Sequence, residues 1–175
     1  NQPKFKKLIK TISGDILKIN NHYKKIIKFK PEIIIHLASQ ATVSEAYKNT
    51  KITYCTNVLG TIELFELVKK IPSVRNVLIF TSDKVYRNLR GNILYEESEL
   101  GGLDPYSSSK SSQDILSNSY KESFFKNTKN VTIVRAGNII GGGDFDFTRL
   151  IPDLFASIKK NKKFVLRNPN ATRPW

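Results

Sequence analysis

The sequence predicts an α/β protein built on an open parallel sheet with helices on both faces, incomplete at both ends. Three observations predict it. Strand-like runs alternate with amphipathic runs of helical period along the chain. The run "PEIIIHLAS" at 31–39 is apolar at successive positions, the pattern of a strand covered on both faces. The chain also starts at Asn1, contains no methionine and stops at Trp175 directly after a proline, so it reads as a piece of a longer protein.

Taken in order, "LIKTIS" (8–13) is a short β-branched run ended by Gly14-Asp15, and it is expected to form a strand. Ile16, Ile19, Tyr23, Ile26 and Ile27 follow at helical spacing. After the strand in 31–39, the long segment 42–70 predicts a short helix and a long helix broken near Asn49-Thr50. "NVLIFTS" (76–82) is the next strand. A polar loop leads to Asp104-Pro105, a helix start with proline tolerated in the first turn, and a helix over about 106–125. "VTIVRA" (131–136) is a strand, a glycine-rich loop follows, a helix spans about 148–160, and "FVLRN" (164–168) is expected to be a last strand. Helices between strands imply βαβ units with right-handed crossovers, and ligands in such sheets sit beyond the carboxyl ends of the strands.

A chain of 175 residues with 39% apolar content has room for one domain with a core, but not for two comfortable ones. The net charge of +14 invites a nucleic-acid reading. Its distribution argues otherwise: residues 1–30 hold nine lysines against Asp15, residues 158–175 hold six basic groups against no acid, and 31–157 is balanced at fourteen of each. The excess belongs to the two ends, so no nucleic-acid partner is expected. One cysteine, Cys55, permits no internal disulfide, and no signal-like or membrane-length apolar stretch is seen. A cytoplasmic location is the default, without membrane or metal.

The chemistry concentrates at two places. The strand in "VLIFTSDKVYRN" (77–88) ends in Ser82, Asp83 and Lys84, a hydroxyl, a carboxylate and an ammonium at the mouth of the sheet. Tyr106 follows 24 residues after Ser82, and Lys110 lies one helical turn beyond Tyr106 on the same face. A free tyrosine titrates near 10, and bringing it to about 7 needs roughly 4 kcal/mol of preferential stabilisation of the phenolate. A neighbouring ammonium in a partly dehydrated site contributes to that.

Ser82, Tyr106 and Lys110 in this arrangement resemble the short-chain dehydrogenase/reductase family. The chain is similar to its extended, Rossmann-like members, most of all the CDP-glucose 4,6-dehydratases, through "SGDI", "KPEIIIHLASQ", "TNVLGT", "TSDKVY", "DPYSSSK", "VRAGNIIGGGDF", "RLIPD" and "RNPNATRPW". The Asp-Lys pair at 83 and 84 resembles the CDP-glucose branch, where dTDP-glucose and GDP-mannose dehydratases look like Asp-Glu.

The resemblance implies an internal NAD redox cycle on a nucleotide sugar, with Tyr106, Lys110 and Ser82 handling the C4 hydroxyl, Asp83 protonating the departing C6 hydroxyl and Lys84 near C5. It further implies Asp15, Ile16, Ala38 and Gln40, with Tyr106 and Lys110, as cofactor residues. Asn57 would support the surroundings of the lysine. Asn138, Arg149, Arg167 and Arg173 would meet the substrate, arginine suiting phosphate through its two parallel donors. Asp15 also reads as a simple helix cap, Arg149 as a surface arginine, and His36 as a satisfied core histidine. Gly141-Gly142-Gly143 lacks dinucleotide-fingerprint spacing and reads as a substrate loop.

Residues 1–147 are then expected to form part of an NAD-binding domain and 148–175 the start of a substrate-binding region. The glycine-rich turn is expected upstream of Asn1, so the isolated piece is expected to be poorly stable and inactive. Family members suggest homo-oligomers built on the helices at 51–70 and 106–125. The alternatives are a dehydratase or 4-epimerase acting on another nucleotide sugar, and a non-catalytic NAD-binding sensor.

Overall fold

The computed structural model describes residues 8–87 and 93–171. A 3-10 run at Ile16–His22 leads into α1 (Tyr23–Phe29), followed by β1 (Ile33–His36), α2 (Val43–Lys48) and α3 (Thr50–Tyr54). A π-helical turn at Cys55–Leu59 joins α3 to α4 (Gly60–Lys69), and β2 (Asn76–Phe80) comes next. Then come α5 (Pro105–Tyr120), extended by a second π-helical stretch at Lys121–Phe125, β3 (Asn130–Val134) and α6 (Leu150–Lys159). The chain divides into two compact units, Asn1–Arg135 and Ala136–Trp175.

The first unit is a parallel sheet in the order β1-β2-β3, with Ile34, Val77 and Val131 in register on one face. The hydrophobic core lies on that face. Val77, Ile79 and Val131 are buried there against Leu64, Phe65 and Val68 of α4 and Phe125 after α5. Phe65 stacks on Tyr120 with ring centroids 4.8 Å apart, which ties α4 to α5. Gly60 makes room for the 3-10 run: a Cβ there would stand 2.7 Å from Ile16 Cγ2.

The parallel sheet flanked by helices agrees with the pattern in the sequence, as do the break at Asn49 and the start of α5 at Asp104-Pro105. Three expectations need correction. Residues 9–13 and 164–168 are not strands; a β-branched run becomes a strand only where another backbone pairs with it, and no ladder reaches these two. The strand within 31–39 is not covered on both faces, since Ile33 and Ile35 are 58% and 56% exposed. The cause is topological: a monotonic strand order sends both right-handed crossovers to the same side of the sheet.

Candidate active site

The site is built where β2 runs out. Ser82 caps a 3-10 turn at Asp83–Val85: its Oγ accepts from Lys84 N–H and donates to Asp83 Oδ1 at 3.0 Å. This turn follows the carboxyl end of β2 and holds Asp83 and Lys84 half-buried. On the adjoining side, the Asp104 carboxylate accepts from Tyr106 N–H and Ser107 N–H, both at 3.0 Å, and so fixes the first turn of α5. Gly102 lets the incoming chain lie close against that first turn, since a Cβ there would lie 2.3 Å from the Ser107 carbonyl carbon.

Helix α5 lacks an apolar stripe over its first half, yet Tyr106, Ser107, Ser109, Lys110 and Ser111 are all buried. The serines are satisfied locally, which allows their burial: Ser109 donates to Tyr106 O, and Ser111 shares its one hydroxyl hydrogen between Ser107 O and, at the shorter distance, Val85 O. The last bond clamps the helix against the turn that carries Asp83 and Lys84. Lys110 reaches the same corner. Its Nζ donates to Phe80 O at 3.1 Å, two residues before Ser82, and to Gln113 Oε1 at 2.9 Å. Burial lowers Lys110 from 10.5 to about 8, because the charged form is poorly solvated there. Ser82, Asp83, Lys84, Tyr106 and Lys110 thus belong to one corner, formed by the end of β2 and the start of α5.

Behind Lys110, Gln113 and Thr61, which sequence reasoning did not single out, join His36 in a group of polar side chains. Gln113 Nε2 donates to Thr61 Oγ1 at 2.9 Å, Thr61 donates to Asn57 O at 2.8 Å, and His36 Nε2 lies 3.0 Å from Thr61 Oγ1. Burial, with the nearby Lys110 charge, lowers His36 from 6.5 to about 4, so the ring is neutral at pH 7. Beside them Asp114 takes two bonds from Arg135, at 2.8 and 2.9 Å, and one from Thr81 Oγ1 at 3.2 Å, joining α5 to the ends of β2 and β3. The available signal was the absence of an apolar stripe in a segment with such a clear helix start.

The residues assigned to a cofactor fall into two groups. Ala38, exposed just beyond β1, leaves the carboxyl end of that strand free of bulk. Gln40 is held by its backbone, donating to Asn57 Oδ1 at 2.8 Å, while its side-chain amide donates to Thr42 O. Asn57 also donates to Ser109 Oγ at 2.9 Å, so it braces the loop after β1 against the residue before Lys110. Asp15 accepts from Leu17 N–H as a helix cap, and Ile16 packs against the core. His36 is a buried, hydrogen-bonded histidine.

In the second unit, Asn138 is exposed in the loop after β3. Arg149 pairs with Asp144 at 3.2 Å and Asp146 at 3.4 Å, and Arg167 donates to Thr148 O at 2.7 Å. Gly143 takes a φ of 90°, a left-handed conformation suited to glycine. Arg173 lies outside the described residues. Among the described residues no group of three or more His, Cys, Asp or Glu side chains could hold a metal, and no helix is long and apolar enough to cross a membrane.

Comparison with known proteins places this architecture. The profile described as GDP-mannose 4,6 dehydratase matches residues 1–175. The chain is 40% identical over 175 residues to the CDP-glucose 4,6-dehydratase of Salmonella typhimurium, a match covering 96% of this chain and 49% of that protein. It therefore spans about half the length of that curated relative. Among solved structures, a dTDP-glucose 4,6-dehydratase from Bacillus anthracis in complex with NAD matches with TM-score 0.71 and 28% identity, covering 87% of this chain and 45% of that one. A UDP-N-acetylglucosamine 4-epimerase from Methanobrevibacter ruminantium, at TM-score 0.74 and 22% identity over 86% of this chain and 47% of that one, shares the fold.

Proposed function

This chain belongs to the GDP-mannose 4,6 dehydratase family of extended short-chain dehydrogenase/reductases, and from that premise we propose that the complete protein is an NAD-dependent nucleotide-sugar 4,6-dehydratase acting on CDP-glucose. The observation that carries the reading is the corner itself. A hydroxyl, a carboxylate and an ammonium at the end of β2 meet a tyrosine and a buried lysine at the start of α5. The 40% identity to a CDP-glucose 4,6-dehydratase supports the choice of base and sugar.

The chemistry of the corner fits a nicotinamide dinucleotide, with Ala38 leaving space beyond β1 and a buried ammonium beyond β2. Asp15, Ile16, Ala38, Gln40, Tyr106 and Lys110 are proposed to hold it; when bound, it supplies a reversible hydride acceptor. Tyr106 takes the proton of the C4 hydroxyl, Lys110 stabilises the phenolate electrostatically, and Ser82 holds the same sugar oxygen by a hydrogen bond. A ketone at C4 acidifies the C5 hydrogen. Lys84, in its neutral form, removes that proton while Asp83 protonates the departing C6 hydroxyl, so water leaves; return of the hydride to C6 and of the Lys84 proton to C5 then gives a 4-keto-6-deoxy sugar one water lighter than the substrate, and the proton held by Tyr106 restores Asp83.

Asn138, Arg149, Arg167 and Arg173 are proposed for the nucleoside diphosphate, with 148–175 as the start of the substrate region and 1–147 as part of the cofactor domain. A homo-oligomer and a cytoplasmic setting complete the proposal, which assigns no membrane or nucleic-acid partner. The test is to incubate the complete protein separately with CDP-glucose, dTDP-glucose and UDP-glucose and to weigh the sugar nucleotides. Loss of one water from CDP-glucose alone is the expected result. Unchanged mass with all three would refute dehydration, and water loss from another nucleotide alone would reassign the substrate.

A further inference from the structure

Resting on the assignment of Lys110 to the redox corner, we infer that Gln113 is a positioning residue that keeps Lys110 charged and aimed, with Thr61 and His36 locking the orientation of its amide. The argument begins with a donor count. Thr61 has one hydroxyl hydrogen, and it is given to Asn57 O at 2.8 Å. The Thr61 oxygen can then only accept, from Gln113 Nε2 at 2.9 Å and from His36 Nε2 at 3.0 Å. His36 is therefore the neutral tautomer with its hydrogen on Nε2, and the NH2 group of Gln113 must face Thr61.

The other end of the amide follows from this. Gln113 Oε1 is the end turned to Lys110 Nζ, at 2.9 Å. Flipping the amide would place its NH2 against an ammonium and its Oε1 against the Thr61 oxygen, an acceptor facing an acceptor. The chain of bonds has one polarity, and it delivers a fixed acceptor to a lysine that is 3% exposed. Burial disfavours the charged lysine, and an acceptor at fixed position offsets that. Gln113 is itself fully buried, so no water competes for the bond.

The other ionisable groups on the packed elements do not supply this. His36, from β1, is neutral. Asp114, next along α5, is committed to Arg135 and Thr81. Asp83 is bonded by Ser82, Lys84 would only add like charge, and Tyr106 is the group Lys110 is assigned to serve.

The test uses the complete protein with lysine labelled at 13Cε, the Lys110 signal being assigned by its loss in Lys110→Arg, and follows that signal from about pH 6 to 11. Gln113→Leu should lower the Lys110 midpoint by about one pH unit, and Gln113→Glu should raise it by about one. Thr61→Val, nearly isosteric, should lower it by less, and stands in if Gln113→Leu does not fold. The basic limb of the pH profile for sugar oxidation should move in the same directions. Midpoints that coincide in all variants, or that fall in both Gln113 variants, would overturn the inference, the second being the mark of mere loosening. The titration needs no turnover, so an enzyme that fails to dehydrate any sugar nucleotide would sink the functional reading while leaving this result to be judged by itself.

Discussion

The role proposed for Lys110 places opposing demands on its surroundings: the side chain must be dry enough for its charge to matter, yet remain protonated. The structure meets the first demand by burial and the second with Phe80 O and Gln113 Oε1. Tyr106→Phe should remove the base while leaving the packing of α5 intact, and sugar oxidation should fall by about 10²–10⁴-fold; single-turnover absorbance of the reduced cofactor reads this directly. Asp83→Asn should leave hydride transfer largely intact but slow water loss by a comparable factor, so the reduced cofactor accumulates with a 4-ketosugar. Equal losses in both steps would refute the division of labour. At this scale the residues proposed for the chemistry stand out in the sequence because their chemical types are rare together at such spacing. Gln113 and Thr61 do not, because a polar residue on a helix reads as solvent-facing until packing shows otherwise.

The elements carry the site by their ends. Asp104 and Pro105 start α5 where Tyr106 must stand, and both signals were plain in the sequence. Asp104→Ala should cost about 1 kcal/mol of stability, read as a shift in the urea midpoint, because two N–H bonds lose their acceptor. Removing the Asp114 carboxylate should cost more, about 3 kcal/mol or above, because the half-buried Arg135 would be left without its partner. Periodicity alone overreached at 8–13 and 164–168, since whether an extended run joins a sheet depends on partners that no local pattern describes. The π-helical turns at Cys55–Leu59 and Lys121–Phe125 were equally invisible, for the shift of roughly a quarter turn that one extra residue gives the apolar positions stays within the width of an ordinary apolar stripe.

For the whole molecule, the buried bases make stability depend on pH from both sides. An unfolded histidine titrates near 6.5 and folded His36 at about 4. The unfolded chain therefore binds the extra proton between these values, and stability should fall as pH drops from about 6.5 to about 4, with no His36 contribution above that window. The slope is at most about 1.4 kcal/mol per pH unit. Lys110, at about 8 folded against 10.5, imposes its full penalty below about 8 and releases it as pH rises toward 10.5. Urea unfolding of the complete protein across pH 4 to 7 should show the acidic slope, and His36→Gln should flatten it. A slope unchanged by that substitution would place the acid sensitivity elsewhere. The layered α/β plan was legible at this scale because alternation is a property of the whole chain; the exposure of Ile33 and Ile35 was not, because it depends on which side each crossover takes.

The bonds that link His36 through Thr61 and Gln113 to Lys110 also make the histidine a resident spectroscopic reporter. Its ring stays neutral across the working range, so its own titration is silent there. Its Nε2 hydrogen is nonetheless wired through Thr61 and Gln113 to the ammonium. A slowly exchanging imidazole proton resonance should consequently drift near pH 8, recording the charge state of a lysine that cannot be observed so easily itself.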